Sequence, residues 1–304
     1  MEGNKKMSYT RRVHKRQLAT MPPYVHGGLQ LEVIMGSFAY GVSSDTSDFD
    51  VYGFCIPPKS VIFPHTTGKF IFGYDNTVPG NFEQWQKHHI IDKEKKKEYD
   101  FTIYNIAKYF RLCADGNPNM IDSLFVPLRC VTHSTAIGTL VRERRFDFLS
   151  KKCWHTFKGY AFSQMHKMDI KNPEGKRKEM VDKYGYDVKY AYHLVRLLNE
   201  IEQILLEGDL DLERNREQLK AIRRGEWKVE EVKEYFNDKE KSLEGLYLKS
   251  DLPHKAQYDK IRELLFECLS MYFEESVKPE TNTVNDFFND IWEVINKYER
   301  MLKK

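Results

Sequence analysis

The sequence has little of what marks secreted, zinc-bound or membrane proteins. Its 304 residues include five cysteines, an odd number, and no two of them stand at the spacing of a zinc knuckle. We therefore expect neither a disulfide framework nor a cysteine zinc site, and a reducing compartment fits better. No apolar run approaches the roughly 20 residues of a membrane helix, and the N-terminus lacks a signal-peptide core. These absences predict a cytoplasmic protein without a membrane partner.

The chain also lacks a strong excess of charge of either sign. Lysine and arginine number 48 against 45 acidic residues, which leaves a formal net charge of +3. That value is too small to indicate nucleic-acid binding by itself. Residues 1–20 differ, because they carry six basic side chains against the single acid Glu2. We interpret them as a basic N-terminal arm that contacts phosphates, with a solvated chain terminus as the alternative.

Hydrophobic patterning divides the remaining residues into two parts. In the first part, three strands and one helix are predicted: residues 29–35, 49–56, 101–104 and 105–113. In the second part, the apolar spacing is helical: residues 190–206, 229–246, 258–272 and 284–302. The predicted fold is α+β, with an α/β domain containing a mixed sheet at residues 21–148 and a helical bundle at residues 149–304. Residues 69–98 are interpreted as a long excursion from the sheet.

A Gly-Ser turn follows the first predicted strand. Gly36 and Ser37 offer backbone N–H groups and a hydroxyl at a strand-to-helix turn, where a phosphate can bind. Because glycine has no Cβ, a phosphate can approach the backbone closely at Gly36. Such turns are common, so this feature indicates a phosphate site only in combination with others.

Three aspartates supply that combination. Asp48 and Asp50 are two positions apart at the second predicted strand, so their side chains share one face while Phe49 points to the other. Carboxylates about 7 Å apart along a strand repel one another unless a cation lies between them. Asp100 opens the third predicted strand and joins them if that strand lies beside the second. We predict that these three aspartates are the catalytic acids and bind two Mg²⁺ ions, with Mn²⁺ as a substitute.

The same residues carry a family resemblance. Gly36-Ser37, with Asp48 eleven residues after Ser37 and then Asp50, resembles the signature of the DNA polymerase β-type nucleotidyltransferase superfamily. Within it, the chain is most similar to bacterial and phage predicted nucleotidyltransferases described as polymerase β-like proteins of RNA repair pathways. That closer resemblance rests on several further segments: residues 36–41 (GSFAYG), 47–50 (SDFD), 116–119 (GNPN), 157–161 (FKGYA) and 189–198 (KYAYHLVRLL).

The resemblance implies an N-terminal polymerase β-like catalytic domain that transfers a nucleoside monophosphate from an NTP, with ATP or CTP as the expected donor. Gly36 and Ser37 would bind the β and γ phosphates, while the three aspartates hold the metals. The expected acceptor is the hydroxyl of an RNA or tRNA end, and pyrophosphate is released. Two alternatives stay open. One is adenylylation of a protein side chain or modification of a small molecule, and the other is an inactive nucleotide-binding module.

Basic and aromatic side chains of the helical part are the remaining candidates. Lys189, His193 and Arg196 are spaced to share one face of a helix, and we predict that they bind the nucleotide. Lys158 is a further candidate for nucleotide binding. For all four, a solvated polar face is the alternative. Four tyrosines are candidates for stacking on a base: Tyr160, Tyr184, Tyr186 and Tyr190.

Overall fold

The computed structural model describes residues 7–44, 47–63, 82–168 and 175–276. Contacts between Cα atoms group Met1–Leu265 into one compact unit and Phe266–Lys304 into another. The helix predicted at residues 284–302 lies outside the described residues, as do residues 69–81 of the predicted excursion. The boundary predicted near residue 148 therefore stays a prediction.

The described residues contain five strands and twelve α-helices. The strands are β1 (Leu29–Ile34), β2 (Phe49–Cys55), β3 (Gln84–Asp92), β4 (Lys97–Asn105) and β5 (Val131–Ser134). The helices of the first half are α1 (Tyr9–Lys15), α2 (Pro23–Gly27), α3 (Lys59–Ile62), α4 (Ile106–Ala114), α5 (Pro118–Phe125) and α6 (Ala136–Glu143). The helices of the second half are α7 (Lys152–Met168), α8 (Lys176–Tyr184), α9 (Val188–Glu207), α10 (Arg216–Arg223), α11 (Val229–Lys249) and α12 (Tyr258–Ser276).

The strands form a single sheet in the order β3-β4-β2-β1-β5. β2 and β4 run parallel to each other, and the other neighbouring strands pair antiparallel. The predicted mixed sheet and the α+β class are thereby confirmed. The side-by-side arrangement of β2 and β4 makes Asp50 the register partner of Asp100. None of the described helices is long and apolar enough to cross a membrane.

The sheet contains two strands that the sequence analysis missed. β3 lies in the segment interpreted as an excursion, and that interpretation is wrong for residues 84–92. This strand is at an edge of the sheet, its exposed residues other than Ile91 are polar, and a bulge between Lys87 and Ile90 breaks the alternation of buried and exposed residues. β5, at the other edge, holds three polar residues among its four. The third predicted strand is also longer than expected, because β4 begins at Lys97.

One face of the sheet packs on the N-terminal helices. Alternate residues of β2 and β4, including Val51, Phe101 and Ile103, form a buried cluster with Val13 of α1 and Val25 of α2. Because successive strand residues point to opposite faces, Asp50 and Asp100 project from the other face. Phe49 packs against the buried cluster, as predicted.

Buried Glu32 binds the beginning of α1 to the sheet. Its carboxylate accepts hydrogen bonds from the backbone N–H groups of Tyr9 and Thr10, both at 2.7 Å, and from the Thr132 hydroxyl at 2.5 Å. A carboxylate is favourable at this end of a helix, where backbone N–H groups have no partner within the helix. The described part of the predicted basic arm is therefore a packed helix. Its contact with phosphates stays a prediction.

The second half is helical, as predicted. α9 is its central element, since α7, α10 and α11 all pack against it. The Asp187 carboxylate caps its first turn by accepting hydrogen bonds from the backbone N–H groups of Lys189 and Tyr190. At its other end, Gly208 adopts φ +64°, the left-handed conformation that commonly ends a helix.

Replacing Glu32 with alanine should lower the free energy of unfolding by about 3 kcal/mol, because two buried N–H groups of α1 lose their acceptor. Urea unfolding of the wild type and the variant measures this difference. Glu32→Gln, which keeps one oxygen as an acceptor, should lose less than half as much. Equal stability of wild type and Glu32→Ala would show that α1 does not depend on this carboxylate.

Candidate active site

Three carboxylates lie at one end of the open sheet face. Asp50 and Asp100 are neighbours on β2 and β4, and Asp48 is exposed immediately before β2. Burial, together with the negative charges of Asp100 and Asp48, raises the pKa of Asp50 from 3.8 to about 6, an effect that nearby Lys189 partly opposes. A divalent cation would remove this repulsion, and carboxylate oxygens are the ligands that Mg²⁺ prefers. The donor set therefore fits the predicted ion.

The Gly-Ser turn lies against the Asp50 carboxylate. Gly36 adopts φ +64°, and a Cβ at this position would stand 2.1 Å from Asp50 Oδ2. Only glycine allows the turn and the carboxylate to approach this closely. Ser37 follows Gly36 in a 3-10 helix that ends at Phe38. The two parts of the predicted motif are thus adjacent in space, although ten residues separate Ser37 from Asp48.

Strand β3 orients Asp100 from the opposite side. The backbone N–H of His89 donates to Asp100 Oδ1 at 2.7 Å, and His88 Nδ1 lies 3.5 Å from Asp100 Oδ2. The other ring nitrogen of His88 is 2.8 Å from Gln86 Nε2. These contacts hold both oxygens of the Asp100 carboxylate. Sequence analysis missed His88 because it did not predict the strand that carries it.

Arginines from distant segments hold the loop that follows Ser37. Arg129 donates from Nη2 to the Phe38 carbonyl and to Glu213, both at 2.9 Å. Arg223 of α10 donates to the Val42 carbonyl at 2.5 Å. The loop is therefore fixed at both ends by side chains that no local sequence signal connects to it.

Lys189 and His193 of α9 lie in a group of basic side chains. Lys189 is exposed and close enough to lower the pKa of Asp50. Burial, and then the charges of Arg196, Lys189, Arg223 and Arg177, hold the pKa of His193 well below its usual value. His193 is consequently neutral at pH 7, and its N–H remains a hydrogen-bond donor. Sequence analysis missed Arg177 and Arg223.

Arg196 is predicted to bind the nucleotide, but its guanidinium is already paired with two carboxylates. Its guanidinium is buried, contacts Asp122 at 2.5 Å and Glu200 at 2.8 Å, and stacks 4.4 Å from the centre of the Tyr40 ring. The Tyr40 hydroxyl also donates to Asp122, at 2.7 Å. Arg196 is thus buried between two carboxylates and one aromatic ring, and its role in nucleotide binding stays a prediction.

Lys158 is likewise placed differently from its predicted role in nucleotide binding. Its ammonium group pairs with Glu240 at 2.6 Å and Glu244 at 3.5 Å, and it lies over the Trp154 ring. Because both glutamates belong to α11, Lys158 connects α7 to α11. The sequence shows that Lys158 is basic, but not that acids of α11 cover it.

Of the tyrosines predicted to stack on a base, Tyr160 is exposed and Tyr186 is buried. Tyr160 is 41% exposed, and its hydroxyl accepts a hydrogen bond from Asn117 at 3.1 Å. Tyr186 is buried in the core. Tyr52 and Tyr104, which sequence analysis missed, follow Asp50 and Asp100 along the same face of β2 and β4, with ring centres 6.4 Å apart. Burial raises the pKa of Tyr104 to about 12, with smaller effects of Cys113 and Tyr160.

The raised pKa of Asp50 predicts a pH-dependent stability in metal-free buffer. The folded pKa of about 6 exceeds the usual 3.8, so the associated stability is complete below pH 3.8 and is lost as pH rises through 6. At pH 8 with EDTA, Asp50→Asn should therefore raise the free energy of unfolding by about 2–3 kcal/mol, and by roughly half of that at pH 5.

Urea unfolding at both pH values checks this expectation. Adding Mg²⁺ at pH 8 provides the control, because it should stabilise the wild type and leave Asp50→Asn almost unchanged. A variant that is less stable than the wild type at pH 8, or a difference that does not vary with pH, would contradict the proposed crowding of carboxylates.

Comparisons with known proteins give matches of very different extent. Residues 11–294 match the RNA repair pathway DNA polymerase beta family. An uncharacterized 38.9 kDa protein in the nrdC-mobD intergenic region of Enterobacteria phage T4 is 24% identical over 139 residues, which is 45% of this chain and 37% of the phage protein. The chain thus matches well under half of that relative's length.

The crystal structure of a nucleotidyltransferase-like protein from Exiguobacterium sibiricum 255-15 aligns with this chain. The alignment covers 90% of this chain and 92% of that protein's chain. The identity is 10% and the TM-score 0.29. From residue 11 to residue 294, the chain belongs to the RNA repair pathway DNA polymerase beta family.

Proposed function

We propose that the protein transfers a nucleoside monophosphate from an NTP to the terminal hydroxyl of an RNA, such as a tRNA, and releases pyrophosphate. The observation that carries this proposal is the convergence of Asp48, Asp50 and Asp100 beside the Gly36–Ser37 turn. A phosphate-binding turn next to three carboxylates has the donors for a metal-bound triphosphate. The family description adds the expectation of an RNA acceptor.

The three aspartates would hold the two Mg²⁺ ions, for which Mn²⁺ can substitute. When bound, these ions activate the attacking hydroxyl and stabilise the leaving pyrophosphate. Asp100 is oriented for this role by the backbone N–H of His89 and by the His88 ring. Gly36 and Ser37 present donors to the β and γ phosphates, and the absent Cβ at Gly36 lets this turn lie directly against the Asp50 carboxylate.

Basic side chains of α8, α9 and α10 would complete the triphosphate site. Lys189 is exposed near Asp50, and Arg177 and Arg223 supply further positive charge around His193. Neutral His193 can donate a hydrogen bond without adding charge. This arrangement suits an ATP or CTP triphosphate, on which charge develops as pyrophosphate leaves.

The acceptor would lie along the aromatic side of the same face. Tyr52, Tyr104 and the exposed Tyr160 offer rings next to the acids, and unpaired bases stack on such rings irrespective of sequence. Single-stranded RNA ends present unpaired bases to such rings, whereas a protein side chain or a small sugar presents no nucleobase. The tyrosines therefore favour an RNA end over a protein or small-molecule acceptor.

The experiment is to incubate the protein with Mg²⁺, each labelled NTP in turn, and a pool of small RNAs. The wild type should label RNA with one preferred nucleotide, and Asp48→Ala/Asp50→Ala should not. Lys189→Ala should raise KM for the NTP about tenfold, as loss of one charge-assisted contact of roughly 1.4 kcal/mol implies.

Lys158→Ala is the matched control, because it also removes one positive charge from the helical part but pairs with α11. Its KM should stay near that of the wild type. Label on the protein instead of on RNA would show that the acceptor is a protein side chain. If no label appears and the protein does not bind NTP in the presence of the metal, the proposed activity is wrong.

A further inference from the structure

A bulge in β3 places two consecutive histidines, His88 and His89, opposite one residue of β4. Lys87 pairs with Phe101 and Ile90 with Tyr99, so His88 and His89 together face the single residue between those partners, Asp100. His89 adopts φ +55°. In a regular strand the two rings would point to opposite faces, whereas a bulge re-aims side chains.

Both rings consequently reach carboxylates of β4. His88 Nδ1 is 3.5 Å from Asp100 Oδ2, and His89 Nδ1 is 2.5 Å from Glu98 Oε1. Glu98 and Asp100 are two residues apart on β4 and share its face. Donor atoms of His89, Glu98 and Asp100 all lie within 4.8 Å of one another.

This spacing is close to that of a metal site. Zinc–nitrogen and zinc–oxygen bonds of about 2.1 Å place tetrahedral ligand atoms about 3.4 Å apart. The ring of His89 is 79% exposed, so rotation about its side-chain bonds can bring its nitrogen closer to the two carboxylates. His88 adds a second imidazole at the border of the group. Two nitrogens and two carboxylates are thus available from adjacent strands.

We propose that His89, Glu98 and Asp100, with His88 as the fourth donor, form a binding site for a borderline divalent cation such as Zn²⁺. The site differs in chemistry from the three aspartates proposed for Mg²⁺. Imidazole nitrogens favour Zn²⁺ and Co²⁺, whereas Mg²⁺ requires oxygen ligands in octahedral geometry. The two sites therefore select different ions although they are adjacent.

Asp100 belongs to both groups, which gives the second site a regulatory consequence. A cation between His89 and Glu98 engages the Asp100 carboxylate and draws it away from Asp50. Zn²⁺ should then inhibit nucleotide transfer without competing for Asp48 or Asp50. This consequence rests on the proposed function, but cation binding itself does not.

Binding is tested with Co²⁺, whose d–d absorption reports tetrahedral coordination. The metal-free full-length protein is titrated with Co²⁺, and Zn²⁺ is then added to displace it. The wild type and Asp48→Ala should both give the tetrahedral spectrum, which excess Mg²⁺ leaves in place. His89→Gly, which tolerates the positive φ, and Glu98→Gln should each weaken Co²⁺ binding at least tenfold. Circular dichroism confirms that both variants are folded.

Three results would overturn the site: no tetrahedral spectrum with wild type, an unchanged affinity in His89→Gly and Glu98→Gln, or displacement of Co²⁺ by Mg²⁺. The regulatory role is tested separately by nucleotide transfer in Mg²⁺ with added Zn²⁺. Glu98→Gln should keep the wild-type rate and resist Zn²⁺. Equal inhibition of both proteins would refute that role. A wild type without nucleotide-transfer activity would count against the proposed function. The Co²⁺ spectrum would still show whether the cation site exists.

Discussion

The parallel pairing of β2 with β4 is the constraint on which the site depends. That pairing puts Asp50 and Asp100 side by side, and partial burial raises the pKa of Asp50 to about 6. The folded chain therefore maintains an arrangement of like charges that is unfavourable without a cation. The neighbouring features follow from it: Gly36 has no Cβ to collide with Asp50, and the bulge of β3 supplies a backbone N–H to Asp100. Pre-arranged carboxylates of this kind exchange some stability for metal affinity.

Helices and turns that follow β4 pack around the site without adding to its carboxylates. Arg129 with Glu213, and Arg223 alone, fix the backbone of the loop after the Gly-Ser turn. Beneath the loop, Arg196 joins Tyr40 to Asp122. The N–H groups of residues 39–42 already donate to backbone carbonyls of residues 36–38, so the donors proposed for a phosphate are those of Gly36 and Ser37. The same helices bring Lys189 close to Asp50, so that opposite charges face each other across the site.

Sequence patterns predicted the parts of this site that are local and missed those that depend on distant partners. The Gly-Ser turn and the Asp48/Asp50 pair lie within one short segment, and Asp100 needed only the correct neighbour for β2. In contrast, β3 is polar, lies at an edge and contains a bulge, so neither its existence nor His88 could be inferred from alternation. Arg196 and Lys158 are predicted site residues because they are basic side chains of the helical part. Acidic partners of both are distant in sequence: Asp122 pairs with Arg196, and Glu240 and Glu244 pair with Lys158. Hydrophobic periodicity predicts which face of a helix is polar, but not which side chains of other helices pack against that face.

The most direct measurement of the central claim is anomalous diffraction from crystals of the protein grown with Mn²⁺ and a non-hydrolysable NTP. The account predicts anomalous density between the carboxylates of Asp48, Asp50 and Asp100, with the triphosphate at Gly36 and Ser37. Crystals of Asp50→Asn should lose that density while retaining the fold. Density that avoids the three aspartates, or an NTP bound away from the Gly-Ser turn, would contradict the assignment of this sheet face as the active site.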